Sequence, residues 1–263
     1  MRKILSFFTI LSVMLAFAPA LAKQDKANYA PDSEVATEDG VYDVAGHPEL
    51  KVRVFVYKAK PAPSPVLTLS CNLSDPPSTA VDAPAGWTLP SSWTYNLNSS
   101  SVPASVGGNY LPTIASNAFS AWTSALGGKV TVSKGANTSA TRAVRDYQNI
   151  IAWGRTSGSA LAVTYTWYNT TTKKAVEIDT IMNLKFPWAW SDPASWGSQP
   201  TCAYNNVYDA QNILTHELGH TFGLDDHYTS SYANNTMYGY GSKTETKKDT
   251  LTQGDIAGVQ ALY

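Results

Sequence analysis

The chain has 263 residues, 43% of them apolar, and a formal charge of −1. That length buries one substantial core with room for an appendage, and the near-zero charge argues against nucleic acid or an anionic membrane as partner. Only 15% of residues are charged, so Ser, Thr, Asn and Tyr carry much of the surface polarity, as suits a β-rich extracellular protein.

Met1-Arg2-Lys3 is a short basic start, Ile4 to Ala18 an apolar run, and Ala20-Leu21-Ala22 a small-x-small cleavage signature. Together they read as a secretory signal peptide, residues 1–22, cut after Ala22. The apolar run is shorter than the roughly twenty residues of a spanning helix. Lys23 follows the cut where a lipoprotein would carry cysteine. The product is expected in the extracellular or cell-envelope space, as a monomer, with no membrane attachment after cleavage. In an oxidising compartment its two cysteines, Cys71 and Cys202, most simply form one disulfide.

Lys23 to Gly46 is polar and reads as a flexible leader. Leu50 to Tyr57 (LKVRVFVY) alternates apolar and charged residues like a strand. The proline-rich stretches Lys58 to Val66 and Asp75 to Gly86 suit neither core strand nor helix. Residues 23–85 are therefore expected to be an irregular N-terminal extension or pro-segment, with the compact domain over 86–263.

Within that domain five runs rich in β-branched and aromatic residues predict strands: Ser92–Leu97, Lys129–Ser133, Asn149–Trp153, Ala160–Tyr168 and Val176–Met182. Three runs predict helices. Leu111 to Leu126 has apolar residues at helical spacing and stops at Gly127-Gly128. Tyr208 to Gly223 starts at a capping Asp209. Leu251 to Tyr263 starts on a capping box of Thr252 and Asp255. The fold class is α+β: a five-stranded mixed sheet with three helices.

Three of the four histidines fall in Ile213–Tyr228, ILTHELGHTFGLDDHY. Residues four apart on a helix share a face, so His216 and His220 point the same way and can bind one zinc ion. Glu217 lies at the edge of that face, within reach of a water on the metal. Gly223 ends the helix and turns the chain back. A third ligand then comes from Asp226, six residues after His220, or from its neighbour His227; the spacing favours Asp226. Met237 follows in a turn of small and polar residues.

His216-Glu217-x-x-His220-x-x-Gly223-x-x-Asp226 followed by Met237 resembles the metzincin zinc endopeptidases, and more narrowly a matrixin-like protease of microbial type. The likeness covers roughly Trp87 to Tyr263. Most matrixins carry histidine at the third ligand position, whereas the snapalysin group carries aspartate followed by His-Tyr, to which GLDDHY is similar. The resemblance implies a metzincin (zincin-like) fold, one catalytic zinc, and a Met-turn base at Met237. It also implies a pocket lined by Tyr238 and an extended peptide or protein substrate paired with the edge strand at Leu161 and Ala162. Animal matrixins hold a second zinc with several histidines; only His47 remains here, so none is expected. Structural calcium is compatible with the composition, without assignable ligands.

The expected chemistry is hydrolysis of peptide bonds by a zinc-activated water, with Glu217 as general base and then acid. The alternative is a non-catalytic secreted binding protein that keeps the zinc fold. A pro-segment could also hold Cys71 on the zinc, but LTLSCNLSD lacks the motif animal matrixins use, so the Cys71–Cys202 disulfide is favoured.

Overall fold

The structure, a computed structural model, describes residues 38–60, 68–156, 158–196 and 201–263. The expected signal peptide, the leader up to residue 37 and most of the first proline-rich stretch lie outside these residues. In chain order the elements are β1 (Gly40–Val44), β2 (His47–Ala59), β3 (Leu69–Leu73), β4 (Ser92–Leu97), α1 (Leu111–Ala125), β5 (Thr131–Asn137), β6 (Ile150–Gly154), β7 (Ala160–Asn169) and β8 (Ala175–Asn183). Then follow β9 (Trp188–Ala189), β10 (Thr201–Tyr204), β11 (Tyr208–Asp209), α2 (Ala210–Thr221), β12 (Tyr240–Gly241) and α3 (Gln253–Leu262).

The class is α+β, with a mixed sheet and three helices. The helix ends follow the expected chemistry. α1 buries Leu111, Ile114, Ala115, Ala118, Phe119 and Trp122, and the chain then turns through Gly127 and Gly128, both at positive φ. Asp209 caps α2 by accepting from the backbone N–H groups of Gln211 and Asn212. Thr252 and Asp255 form a reciprocal capping box on α3.

Among the described residues the sheet has eight strands, not five. The five strands of the expected domain run β7-β8-β6-β4-β5, with β7 antiparallel to β8 and the other pairs parallel. The order continues past β7 into β2 and β1, and β12 adds to β2. The expectation of an irregular extension is therefore corrected: β1 and β2 are integral to the sheet. Alternation in β2 is the reason. Val52, Val54 and Val56 face one side, where they form a small core with Leu50, Val163, Tyr165 and Trp167. Phe55 and Tyr57 face the other and join the main core between sheet and helices. A strand apolar on both faces is stable only with both covered, and it satisfies the bare hydrogen-bonding edge of β7.

Residues 75–85 form no strand but are bound to the domain. Ala85 N–H donates to Gly223 O at 2.7 Å, Asp225 N–H to Ala83 O at 2.9 Å and Gly254 N–H to Ser78 O at 3.1 Å. Away from the sheet, β3 pairs antiparallel with β10, and Cys71 and Cys202, opposite each other, are joined in a disulfide.

Candidate metal centre

α2 is buried along its whole length. His216 and His220 stand one turn apart, their ring centroids 5.0 Å apart and their planes 87° apart. Each Nδ1 is held by a backbone carbonyl: His216 donates to Thr236 O at 2.7 Å and His220 to Leu224 O at 2.9 Å. These bonds fix the tautomer that leaves each Nε2 with a bare lone pair. Burial pushes His216 well below the usual imidazole range and His220 down to about 3, so the rings are neutral.

The return of the chain depends on Gly223, which adopts φ +94; a Cβ there would lie 2.2 Å from Trp87 O. Asp226 then reaches back, its Oδ1 3.3 Å from His216 Nε2 and 3.7 Å from His220 Nε2. Tyr228 donates its hydroxyl to Asp226 Oδ2 at 3.2 Å. His216 Nε2, His220 Nε2 and Asp226 Oδ1 are all buried without a hydrogen-bond partner. Three such lone-pair atoms facing one another would each cost about 1–3 kcal/mol if left so. A cation among them removes the penalty, and two imidazole nitrogens with one carboxylate oxygen suit zinc. Among the described residues this trio is the one group of three or more His, Cys, Asp or Glu able to share an ion.

Glu217 is fully buried beside the trio. Thr164 on β7 donates to its Oε2 at 2.5 Å, and the Thr164 hydroxyl also meets Thr180 Oγ1 at 2.9 Å. Oε1 has no partner. Burial pushes this carboxyl up to about 8; the Thr164 hydrogen bond opposes the rise and the Asp226 charge adds to it. Met237 lies under α2 at Gly219, where a Cβ would come within 2.1 Å of the Met237 Sδ. Glycine between the two histidines is thus what lets Met237 pack against α2.

His227 is not part of the cluster. Its Nε2 accepts from Ala83 N–H at 3.0 Å and lies 3.4 Å from Asp82 Oδ1. Its ring stacks on Tyr232 at 3.8 Å. It fastens the 78–85 segment to the turn instead.

The Peptidase_M10 (Matrixin) family matches the chain over residues 86–263, well over half its length. This chain belongs to the matrixin family. As a matrixin it is a zinc metalloendopeptidase acting on peptides or proteins. A comparison with curated proteins found no match.

In this matrixin the β7 edge at Leu161 and Ala162, the expected substrate edge, is covered by another strand. β2 runs antiparallel along β7, pairing Tyr57 with Ala162 and Lys58 with Ala160. On its other side β12 runs parallel to it, pairing Tyr240 with Lys58 and Gly241 with Ala59. Phe55 lies flat on the His220 ring at 3.7 Å and 6°, and Tyr57 on the His216 ring at 3.8 Å and 22°. Arg53 pairs with Asp39 and, at 3.3 Å, with Asp225, next to Asp226.

Tyr238 is half-buried on the wall beyond the Met turn, and its carbonyl accepts from Lys248 Nζ at 2.5 Å. Lys248 is wholly buried, and burial lowers it to about 8 against the opposing pull of Glu245. Neither Lys248 nor Thr164 stood out in the sequence. Lys248 sits in a charged run that reads as solvated, and Thr164 is an ordinary strand residue.

Proposed function

We propose that this matrixin is a secreted endopeptidase that holds zinc through His216, His220 and Asp226, moves protons through Glu217, and is latent while β2 fills its cleft. The observation that carries the site assignment is the convergence of three buried, unpartnered ligand atoms beside the unpartnered Oε1 of Glu217. Support for export comes from the signature of residues 1–22 and from the Cys71–Cys202 disulfide, a bond typical of oxidising compartments.

When bound, zinc supplies a Lewis acid that polarises a peptide carbonyl and acidifies water. The rest falls to the chain. The Thr236 and Leu224 carbonyls hold both imidazoles in the ligating tautomer. Tyr228 holds one carboxylate oxygen of Asp226 and leaves the other to the metal. Thr164 fixes Oε2 of Glu217, so that Oε1 is the atom that takes a proton from the attacking water and returns it to the leaving amine. With β2 gone, the facing edges of β7 and β12 would hold an extended peptide from both sides.

The test is metal content and peptide hydrolysis on the same preparations. Glu217→Ala should keep one zinc per chain and lose turnover. His216→Ala and Asp226→Ala should lose the zinc. Turnover persisting in Glu217→Ala, or full zinc retention in Asp226→Ala, refutes the assignment.

A further inference from the structure

We infer that the pocket now filled by Tyr57 selects substrates that present a tyrosine side chain, with Lys248 as the specificity-determining residue. This deepens the endopeptidase reading and rests on it. β2 lies between two hydrogen-bonding edges, antiparallel to β7 and parallel to β12. Any extended peptide that replaces it in that direction places one side chain where Tyr57 now stands.

That place is shaped as a flat slot with a polar floor. One wall is the His216 imidazole, stacked on the Tyr57 ring. The backbone at Gly241 also closes on the ring: a Cβ there would come 3.0 Å from Tyr57 Cε1 and 2.8 Å from Leu161 Cδ2. Glycine there leaves the width of an aromatic ring. At the bottom the Lys248 Nζ donates to Tyr57 Oη, to Tyr238 O at 2.5 Å and to Tyr240 O at 3.3 Å. Two of these acceptors belong to the wall itself and remain when β2 leaves. The third is the phenol.

Lys248 is held at that depth from its backbone, whose N–H donates at 2.8 Å to Asn212 Oδ1, one turn before His216 on α2. A phenylalanine in the slot would bury the amine with a donor unmet, and a leucine would fill the width poorly. A carboxylate would meet the Lys248 amine but would also feel the charges of Glu245 and Asp226, both of which act on the Tyr57 phenol. Tyrosine alone fits the slot, meets the amine and adds no anion. Sites built to hydrogen-bond a substrate hydroxyl reject the analogue lacking it strongly, because the buried partner is then left bare.

The experiment has two arms, both on the zinc-loaded chain, intact and after nicking between Ala59 and Leu69. In the first, matched peptides differing only as Tyr, Phe, Leu or Glu at one position are compared by kcat/KM, in wild type and in Lys248→Met. We expect a Tyr-over-Phe ratio of about 10- to 100-fold in wild type, falling toward unity in Lys248→Met. A ratio near unity in wild type, or one that survives Lys248→Met, overturns the proposal while leaving the endopeptidase reading intact. The absence of cleavage from every zinc-loaded form refutes the endopeptidase reading, and the proposal with it.

The second arm needs no turnover. In the intact chain, Tyr57→Phe should lower hydrogen-exchange protection of the β2 amides by about 5- to 50-fold, and adding Lys248→Met should lower it little further. Protection unchanged by Tyr57→Phe, or additive losses in the double variant, overturns the proposed recognition of the phenol.

Discussion

Phe55→Ala in the intact chain separates a removable strand from a permanent one. Phe55 is fully buried, stacked 3.7 Å from His220, 5.8 Å from Trp87, with the Arg53 guanidinium 4.1 Å above it. Truncating such a phenylalanine costs about 3–5 kcal/mol. Where β2 opens independently of the rest of the sheet, that loss falls on the closed state alone. At a factor of ten per about 1.4 kcal/mol, the open fraction rises by roughly 10²- to 4 × 10³-fold. The assay is hydrolysis of a fluorogenic peptide by the intact zinc-loaded chain, with Phe55→Ala/Glu217→Ala as the blank. Activity should rise by that order, and exchange protection should fall in β2 but not in β4 or β6. Where β2 is inseparable from the domain, the loss appears as global instability, a fall in Tm of roughly 6–20 °C for a chain of this size. A lower Tm with no gain in activity refutes the reasoning.

Thr164→Val keeps the shape of β7 but removes the hydroxyl that fixes Glu217; kcat should fall by about 10- to 100-fold with zinc content unchanged, measured by steady-state kinetics and metal analysis. His227→Ala should keep its zinc but lose about 1–2 kcal/mol of stability through the bond to Ala83 N–H, read by urea titration. Burial and the neighbouring Asp255 push Asp82 up to about 9 from the ordinary carboxyl value of 3.8. Between those values the unfolded chain has released this proton and the folded chain keeps it, so Asp82 lowers stability as pH rises from 4 toward 9. Asp82→Asn should flatten that slope, and an unchanged urea midpoint difference between pH 5 and pH 8 contradicts the assignment.

What the sequence made legible was local. The 3.6-residue period placed His216 and His220 on one face, the Gly223 turn explained the return, and Asp209 and Thr252 marked helix starts, because each signal lies within a few residues. What it hid was contact between distant segments. LKVRVFVY reads as a strand, but nothing in it says that it lies on β7, more than a hundred residues on, because pairing partners are not encoded in alternation. Lys248 was hidden for a related reason. In KTETKKD every charge suggests solvent, and only the approach of Tyr57 and of the Tyr238 and Tyr240 carbonyls makes one of them a buried floor.

The contacts also move the boundary of the removable segment. Composition placed it near residue 85, at the end of the second proline-rich stretch. Yet residues 78–85 are bonded to the Gly223 turn, to Asp225 and to Gly254, and a Cβ on Gly254 would meet Ala80 O at 1.9 Å. Cutting there would strip the loop that carries Asp226 of its backing. Upstream, the disulfide anchors β3 to β10, just ahead of the zinc helix. Between that anchor and β2 lies the proline-rich stretch, the first place where a cut frees β1 and β2 while leaving the disulfide and the 78–85 segment in place. N-terminal sequencing of the active form should therefore begin between Lys60 and Leu69. An active form beginning at or beyond Gly86 would show that the 78–85 contacts are dispensable and would refute this placement.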